Sequence, residues 1–183
     1  MTRIVLIRHG EAAAGWGEDF DPGLSERGRG QAREMAASLE PLGPLCIVTS
    51  PLRRCRETAE PLAEQWNVAP AVEADIGEIK APHHELRHRD RWLHTVLGKT
   101  WPELPAEQQA WRGAVLDRLL SCTDDCVLVT HFVAINAAIG AALRDDRVVC
   151  RRLGNCSMTT FDTDGRSLEL VDVVGEAERT QVL

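Results

Sequence analysis

Three short apolar runs stand out along the chain: Ile4-Val5-Leu6-Ile7, Cys46-Ile47-Val48 and Val127-Leu128-Val129. They are continuous and partly β-branched, the pattern of strands buried on both faces, so each predicts a central parallel strand. After the first run, Ala32, Met35, Ala36 and Leu39 recur at helical spacing and Gly43-Pro44 follows as a stop. After the second, Ser50-Pro51 reads as an N-cap and first helical residue, with Cys55, Ala59, Leu62 and Trp66 as the inward stripe. After the third, Phe132 to Leu143 is apolar nearly all round, which predicts a helix buried in the middle of the molecule. Met158 to Phe161 and Leu168 to Val174 flank an Asp164-Gly165 turn and predict a hairpin at the sheet edge. Residues 74–113 differ in character: Trp92, Trp101 and Trp111 punctuate a stretch rich in His, Arg and Pro, which predicts a helical insertion that walls a pocket. Strands alternating with helices predict an α/β fold, three-layer α/β/α, with a mostly parallel sheet and an antiparallel edge, spanning 1–183 as one domain.

Composition narrows the function. A hydrophobic share of 44% and a charged share of 27% argue for a globular chain and against disorder or a coiled coil. With Lys+Arg 21 against Asp+Glu 28, the net charge of -7 opposes a general nucleic-acid binder, so any anion site must be a local positive cluster. The apolar run before Arg8 is too brief for a signal-peptide core, and the run from Phe132 is shorter than a membrane span. A cytoplasmic protein without nucleic-acid or membrane partners is expected, and the sequence points to no particular oligomeric state. Cys46, Cys55, Cys122, Cys126, Cys150 and Cys156 have no CxxC spacing and read as reduced thiols, with zinc on Cys122 and Cys126 the weaker alternative. His83, His84 and His88 lack a supporting carboxylate or Cys, and read as a solvated or substrate-contacting patch rather than a metal site. Neither a metal nor a cofactor is expected.

Three polar clusters follow the three strands directly: Arg8-His9-Gly10-Glu11, then Thr49-Ser50 with Arg53-Arg54, then Thr130-His131. The carboxyl ends of strands in an open α/β sheet border the crevice where ligands bind, so residues distant in sequence can converge there. The starts of the helices after Ser50 and His131 add backbone N–H groups suited to an anion. Arg53 and Arg56 each precede a Glu by four residues, Glu57 and Glu60, and can pair along the helix surface. Arg54 has Thr58 at that offset and is the arginine most available to a ligand. Two histidines and two arginines with few acids nearby favour a dianionic phosphoryl group over a metal ion.

These residues resemble the histidine phosphatase superfamily, also called the phosphoglycerate mutase-like family, whose hallmark is a strand ending in Arg-His-Gly. The likeness begins at Ile4 to Glu11 and continues through Asp21-Pro22-Gly23-Leu24-Ser25-Glu26-Arg27-Gly28 with Gln31-Ala32. It extends to Ser50-Pro51-Leu52 with Arg54 and Thr58-Ala59, and to Val127 to Ala134 around His131. The resemblance implies that His9 is the nucleophile and becomes phosphorylated, and that Arg8, Arg54 and His131 complete the phosphate pocket. It further implies that Glu78, in a Glu-Ile context, is the proton donor, with Glu73, Asp75 and Glu85 as nearby alternatives. The implied activity is a metal-independent phosphomonoesterase acting on a small soluble phosphate ester. The chain lacks the Asn that the family's mutases carry shortly after the first block, and Glu78 leads into Ile79-Lys80-Ala81-Pro82 rather than the mutase loop. A phosphatase is therefore favoured over a mutase, with Lys80, Arg87, Arg89 and Arg91 as candidates for holding a second acid group. A phosphate-binding regulatory module that turns nothing over is the non-enzymatic alternative.

Overall fold

In the computed structural model, which describes residues 1–82 and 85–177, the apolar runs form the middle of a six-stranded sheet. In chain order the elements are β1 (Thr2–Arg8), α1 (Glu26–Leu39), β2 (Cys46–Thr49), α2 (Arg53–Trp66), β3 (Ala71–Val72), α3 (Leu86–Leu97), α4 (Ala106–Leu120), β4 (Cys126–Thr130), α5 (Phe132–Leu143), β5 (Leu153–Thr163) and β6 (Leu168–Glu176). The strand order is β3-β2-β4-β1-β5-β6. The first four strands in that order run parallel, and β5 and β6 add the antiparallel edge.

Side-chain alternation along the central strands explains why their sequences are apolar throughout. Ile4, Leu6 and Leu128 point to one side and pack with Leu93, Val115 and the body of α5. Val5, Ile7, Ile47, Val127 and Val129 point to the other and pack with Met35 and Leu39 of α1 and Cys55 and Leu62 of α2. The sheet is thus covered on both faces, giving the expected three layers. Helix α5 is buried from Phe132 to Gly140. Its one polar residue, Asn136, accepts from the N–H groups of Cys150 and Arg151 at 2.8 Å each and donates to the Phe132 carbonyl at 3.1 Å, so its burial leaves nothing unpaired.

Several elements differ from the sequence reading. Helix α2 begins at Arg53, two residues later than the Ser50-Pro51 cap predicts. The Ser50 hydroxyl accepts from the Leu52 N–H at 3.3 Å and also bonds His131, and Asp21 of a distant loop accepts from the Arg53 N–H at 2.7 Å. Arg53 does pair with Glu57, at 2.6 Å, whereas no Arg56–Glu60 ion pair forms among the described residues. The hairpin strands run longer than their apolar cores because β5 pairs with β1 along Thr2 to Ile7 as well as with β6. Strand β3 is two exposed residues and has no periodicity to betray it. His83 and His84 lie outside the described residues.

Ser25 caps α1, its hydroxyl accepting from the Gly28 N–H at 3.0 Å, and packs the start of that helix against the loop after β1. A Cβ at Gly28 would lie 2.1 Å from the Glu11 carbonyl oxygen, while one at Gly30, two residues on, would meet open space. The two glycines should therefore respond oppositely to alanine. Gly30→Ala gains helix propensity of about 1 kcal/mol. Gly28→Ala gains the same but forces apart two backbones, and overpacking of that kind costs about 1–3 kcal/mol, leaving a net loss. Urea unfolding of the two variants checks this, and a stabilised Gly28→Ala protein would show that the approach of α1 to the loop is not tight.

Candidate active site

The three polar clusters meet at one end of the sheet because β1, β4 and β2 are adjacent and parallel, with Arg8 level with Thr130 and Thr49 level with Val129. Arg8, His9, Arg54 and His131 are all nearly fully buried there. The Arg8 guanidinium donates to the Leu153 carbonyl at 2.6 Å and lies 5.3 Å from the Phe132 ring centroid. Arg54, one residue into α2, donates from Nε to His9 Nε2 at 3.2 Å and from Nη2 to His131 Nδ1 at 3.3 Å. The two imidazoles meet edge to face with centroids 5.3 Å apart.

These contacts assign both tautomers. His9 Nδ1 lies 2.7 Å from the Gly10 carbonyl, to which it can only donate, so Nε2 carries the lone pair that receives the Arg54 bond. His131 accepts at Nδ1 and donates from Nε2 to the Ser50 hydroxyl at 2.7 Å. Burial first, and then the charges of nearby cations, Arg54 foremost, hold both histidines well below the usual imidazole range, so both are neutral at pH 7. Burial also lowers Arg8 to about 10, which still leaves it cationic.

Glu78 enters from the loop between β3 and α3. The Thr130 hydroxyl donates to the Ile76 carbonyl at 2.7 Å and ties that loop to the end of β4. The Glu78 carboxyl is 7% exposed, with Oε2 3.4 Å from His131 Nδ1 and 3.8 Å from Arg54 Nη2. Burial raises its pKa, opposed mainly by Arg54, so it is biased toward the protonated acid. All five residues expected at the site are therefore brought together. Of the alternative acids, Glu73 forms a salt bridge with Arg118, Asp75 lines the cleft with Glu78, and Glu85 pairs with Arg87 at 2.8 Å.

The spacing of the second block, together with Thr58 of the third, has a structural cause. Ser25 donates to the Glu11 carboxylate at 2.7 Å, Gln31 accepts from the Glu11 N–H at 2.9 Å, and Thr58 accepts from the Gly10 N–H at 2.9 Å while donating to the Arg54 carbonyl. These bonds fix the loop that carries His9. Ser50, which sequence reasoning places in a helix cap, also orients His131. Arg89 of α3 lies with its guanidinium 4.9 Å from each of the Trp16 and Phe20 rings and lines the same narrow crevice as Arg54. No spacing in the sequence singles it out from Arg87 or Arg91. Outside Glu78 opens a cleft of about 540 Å³ whose walls include Phe20, Leu52, Asp75, Lys80, Arg89 and Trp111.

The family model of the histidine phosphatase superfamily (branch 1) matches residues 4–174. Curated relatives include proteins named probable phosphoglycerate mutase GpmB from Erwinia tasmaniensis, 25% identical, and from Photorhabdus laumondii, 27% identical, each match covering 88% of this chain and 85% of the relative. Among solved structures, a mycobacterial glucosyl-3-phosphoglycerate phosphatase complexed with VO3 superposes with a TM-score of 0.72 at 25% identity, covering 97% of this chain and 100% of the other. The phosphoserine phosphatase of Entamoeba histolytica, at 23% identity, shares the fold with a TM-score of 0.74 over 100% of both chains.

The neutral histidines impose a pH dependence on stability. Above the ordinary imidazole value of 6.5, neither folded nor unfolded chain protonates His9 or His131, and they contribute no slope. As pH falls through that value the unfolded chain takes up protons that the folded one refuses, so stability drops by up to about 1.4 kcal/mol per pH unit for each histidine. Glu78 acts with the opposite sign: its raised pKa gives stability that is full below its ordinary value of 4.5 and is lost as pH rises through the folded pKa above it. Replacing His131 by Gln should flatten the loss measured by urea unfolding just below pH 6.5, and an unchanged slope would mean that His131 is protonated in the native state.

Proposed function

Since the chain belongs to the histidine phosphatase superfamily, we propose that it is a metal-independent phosphomonoesterase that hydrolyses a small phosphate ester through a phosphohistidine on His9. The observation that carries this reading is the Nε2 lone pair of His9, held by the Nδ1–H bond to Gly10 and set among two buried guanidinium groups. A phosphoryl group seated there displaces the Arg54–His9 contact and takes the guanidinium donors for its own oxygens. Nε2 then attacks phosphorus in line as the ester P–O bond breaks, and the charge that develops on the imidazole is shared with the Gly10 carbonyl through Nδ1–H.

Glu78 supplies the proton that the departing alkoxide needs, and its carboxylate next takes a proton from the water that attacks the phosphohistidine and releases phosphate. Arg8 and Arg54 provide the charge that neutralises the equatorial oxygens in both steps. The cleft beyond Glu78 would receive the leaving group, so residues 74–113, which supply much of its wall, would set substrate choice. Phosphoryl transfer of the phosphoglycerate mutase kind is the second reading, supported by the names of the curated relatives. The two differ in product, free phosphate against an isomer of the substrate.

Phosphate release from a panel of phosphomonoesters, assayed with a chelator present, tests the proposal. Wild type should turn over and His9→Ala should neither turn over nor form a phosphoenzyme. A phosphoenzyme on another residue, or isomer without free phosphate, would refute the hydrolytic route through His9. Glu78→Gln should slow alkyl phosphates by about 10²–10⁴-fold while sparing aryl esters with good leaving groups, because only the former depend on proton donation. Equal slowing of both classes would assign the acid role elsewhere.

A further inference from the structure

At the opposite end of β4 from His131, three thiols and an arginine gather in a place that the phosphatase chemistry does not use. Cys126 opens β4, level with Cys46 of β2, and its thiol donates to Cys122 Sγ at 3.7 Å. Cys122 lies just beyond the end of α4 and accepts from Arg118 Nη1 at 3.1 Å. Arg118 is itself fixed by Glu73, whose carboxylate receives a second bond from Nη2 at 3.0 Å. The two sulfurs differ in access, since Cys122 is half-buried and Cys126 is 2% exposed.

We propose that Cys122 and Cys126 are a peroxide-reactive dithiol, with Cys122 the attacking thiolate and Cys126 the resolving thiol. The division of labour follows from the geometry. A guanidinium beside Cys122 favours its thiolate, and its exposure admits a small oxidant. Cys126 already points its S–H at that sulfur and is shielded from the oxidant itself. In the first step the Cys122 thiolate attacks one oxygen of a hydroperoxide, the O–O bond breaks, and Cys122 becomes a sulfenic acid as hydroxide leaves. In the second, the Cys126 sulfur attacks the Cys122 sulfur, the S–OH bond breaks, and water carries away the hydroxyl with the Cys126 proton. Overall two thiols and one hydrogen peroxide give one disulfide and two waters. The sulfurs must close from 3.7 Å to the roughly 2.05 Å of a disulfide, a movement available to the turn of residues 121–125 that joins α4 to β4. The hydrogen bond from Cys126, and then the charge and hydrogen bond of Arg118, draw the Cys122 thiol downward, whereas Cys126 is pushed upward.

The test is peptide mapping of the reduced full-length protein before and after hydrogen peroxide. Trypsin cleavage after Arg118 and Arg144 leaves both sulfurs in one peptide, 119–144, which should lose two hydrogens on oxidation and regain them with dithiothreitol. In Cys126→Ser the same peptide should instead be trapped by dimedone at Cys122, and in Cys122→Ser it should remain unmodified. At pH 7, iodoacetamide should alkylate Cys122 at least about tenfold faster than Cys150, because an ordinary thiol is only a few per cent ionised there. A bridge from Cys126 to Cys46, appearing as a crosslink between peptides 34–53 and 119–144, would overturn the pairing. Absence of both the two-hydrogen loss and the dimedone adduct would overturn the proposal entirely. Cys122→Ser should release phosphate as wild type does, so the outcome stands apart from the phosphatase reading.

Discussion

Two guanidinium groups held out of water beside two neutral imidazoles are the constraint on which the rest of the structure depends. Burying an ion costs several kcal/mol even after the surroundings relax, and a protein normally meets that cost by pairing the ion with an opposite charge. Here Arg8 rests on the Leu153 carbonyl and the Phe132 ring, and Arg54 donates to two imidazoles. The Glu78 carboxyl stands off at 3.8 Å from Arg54 and is biased toward its neutral form. Dipoles and ring faces therefore help hold the cations, and the site keeps its positive charge. Burial first, and then the same positive field, keeps His9 neutral, since both oppose a proton on the imidazole.

Such an arrangement needs rigid surroundings, and much of the chain beyond the site serves that need. The clamp from Ser25, Gln31 and Thr58 onto the Glu11 and Gly10 segment holds the His9 loop in one position. The close approach of α1 at Gly28 leaves that loop no room to relax. Residues with no acid–base chemistry of their own thus belong to the site because they fix the loop that carries His9.

The three central strands with the helices that follow them, the closing hairpin, the two covered faces and the convergence of Arg8, His9, Arg54 and His131 were legible in the sequence, whereas β3 was not. They depend on short apolar runs and on the polar residues that sit directly after each run. Arg54 could be told from Arg53 because helix spacing pairs Arg53 with Glu57, as the structure bears out. The start of α2 was not legible, because Ser-Pro is locally a good cap, while the distant Asp21 takes the N–H of Arg53, where the helix begins. Arg89 was equally hidden among neighbouring arginines. What distinguishes it is a pair of aromatic rings some seventy positions earlier, at Trp16 and Phe20, and such a contact leaves no periodicity in the sequence.

A parallel sheet gathers like with like at each of its ends, and that property accounts for both chemical sites. Register places Arg8 beside Thr130 at the carboxyl end, and it also places Ile4 and Cys46 beside Cys126 at the other. The carboxyl end meets helix N-termini, whose free N–H groups suit an anion, and here it collects cations and neutral histidines. The amino end meets the C-terminus of α4, where carbonyls favour a cation in the last turn, and Arg118 occupies that position. That arginine donates to the Cys122 sulfur and so favours its anionic form, independently of the residues gathered at the far end. β4, only five residues long, thereby joins a pocket suited to phosphoryl chemistry to a thiol pair suited to oxidation, and the strand's burial on both faces insulates one from the other.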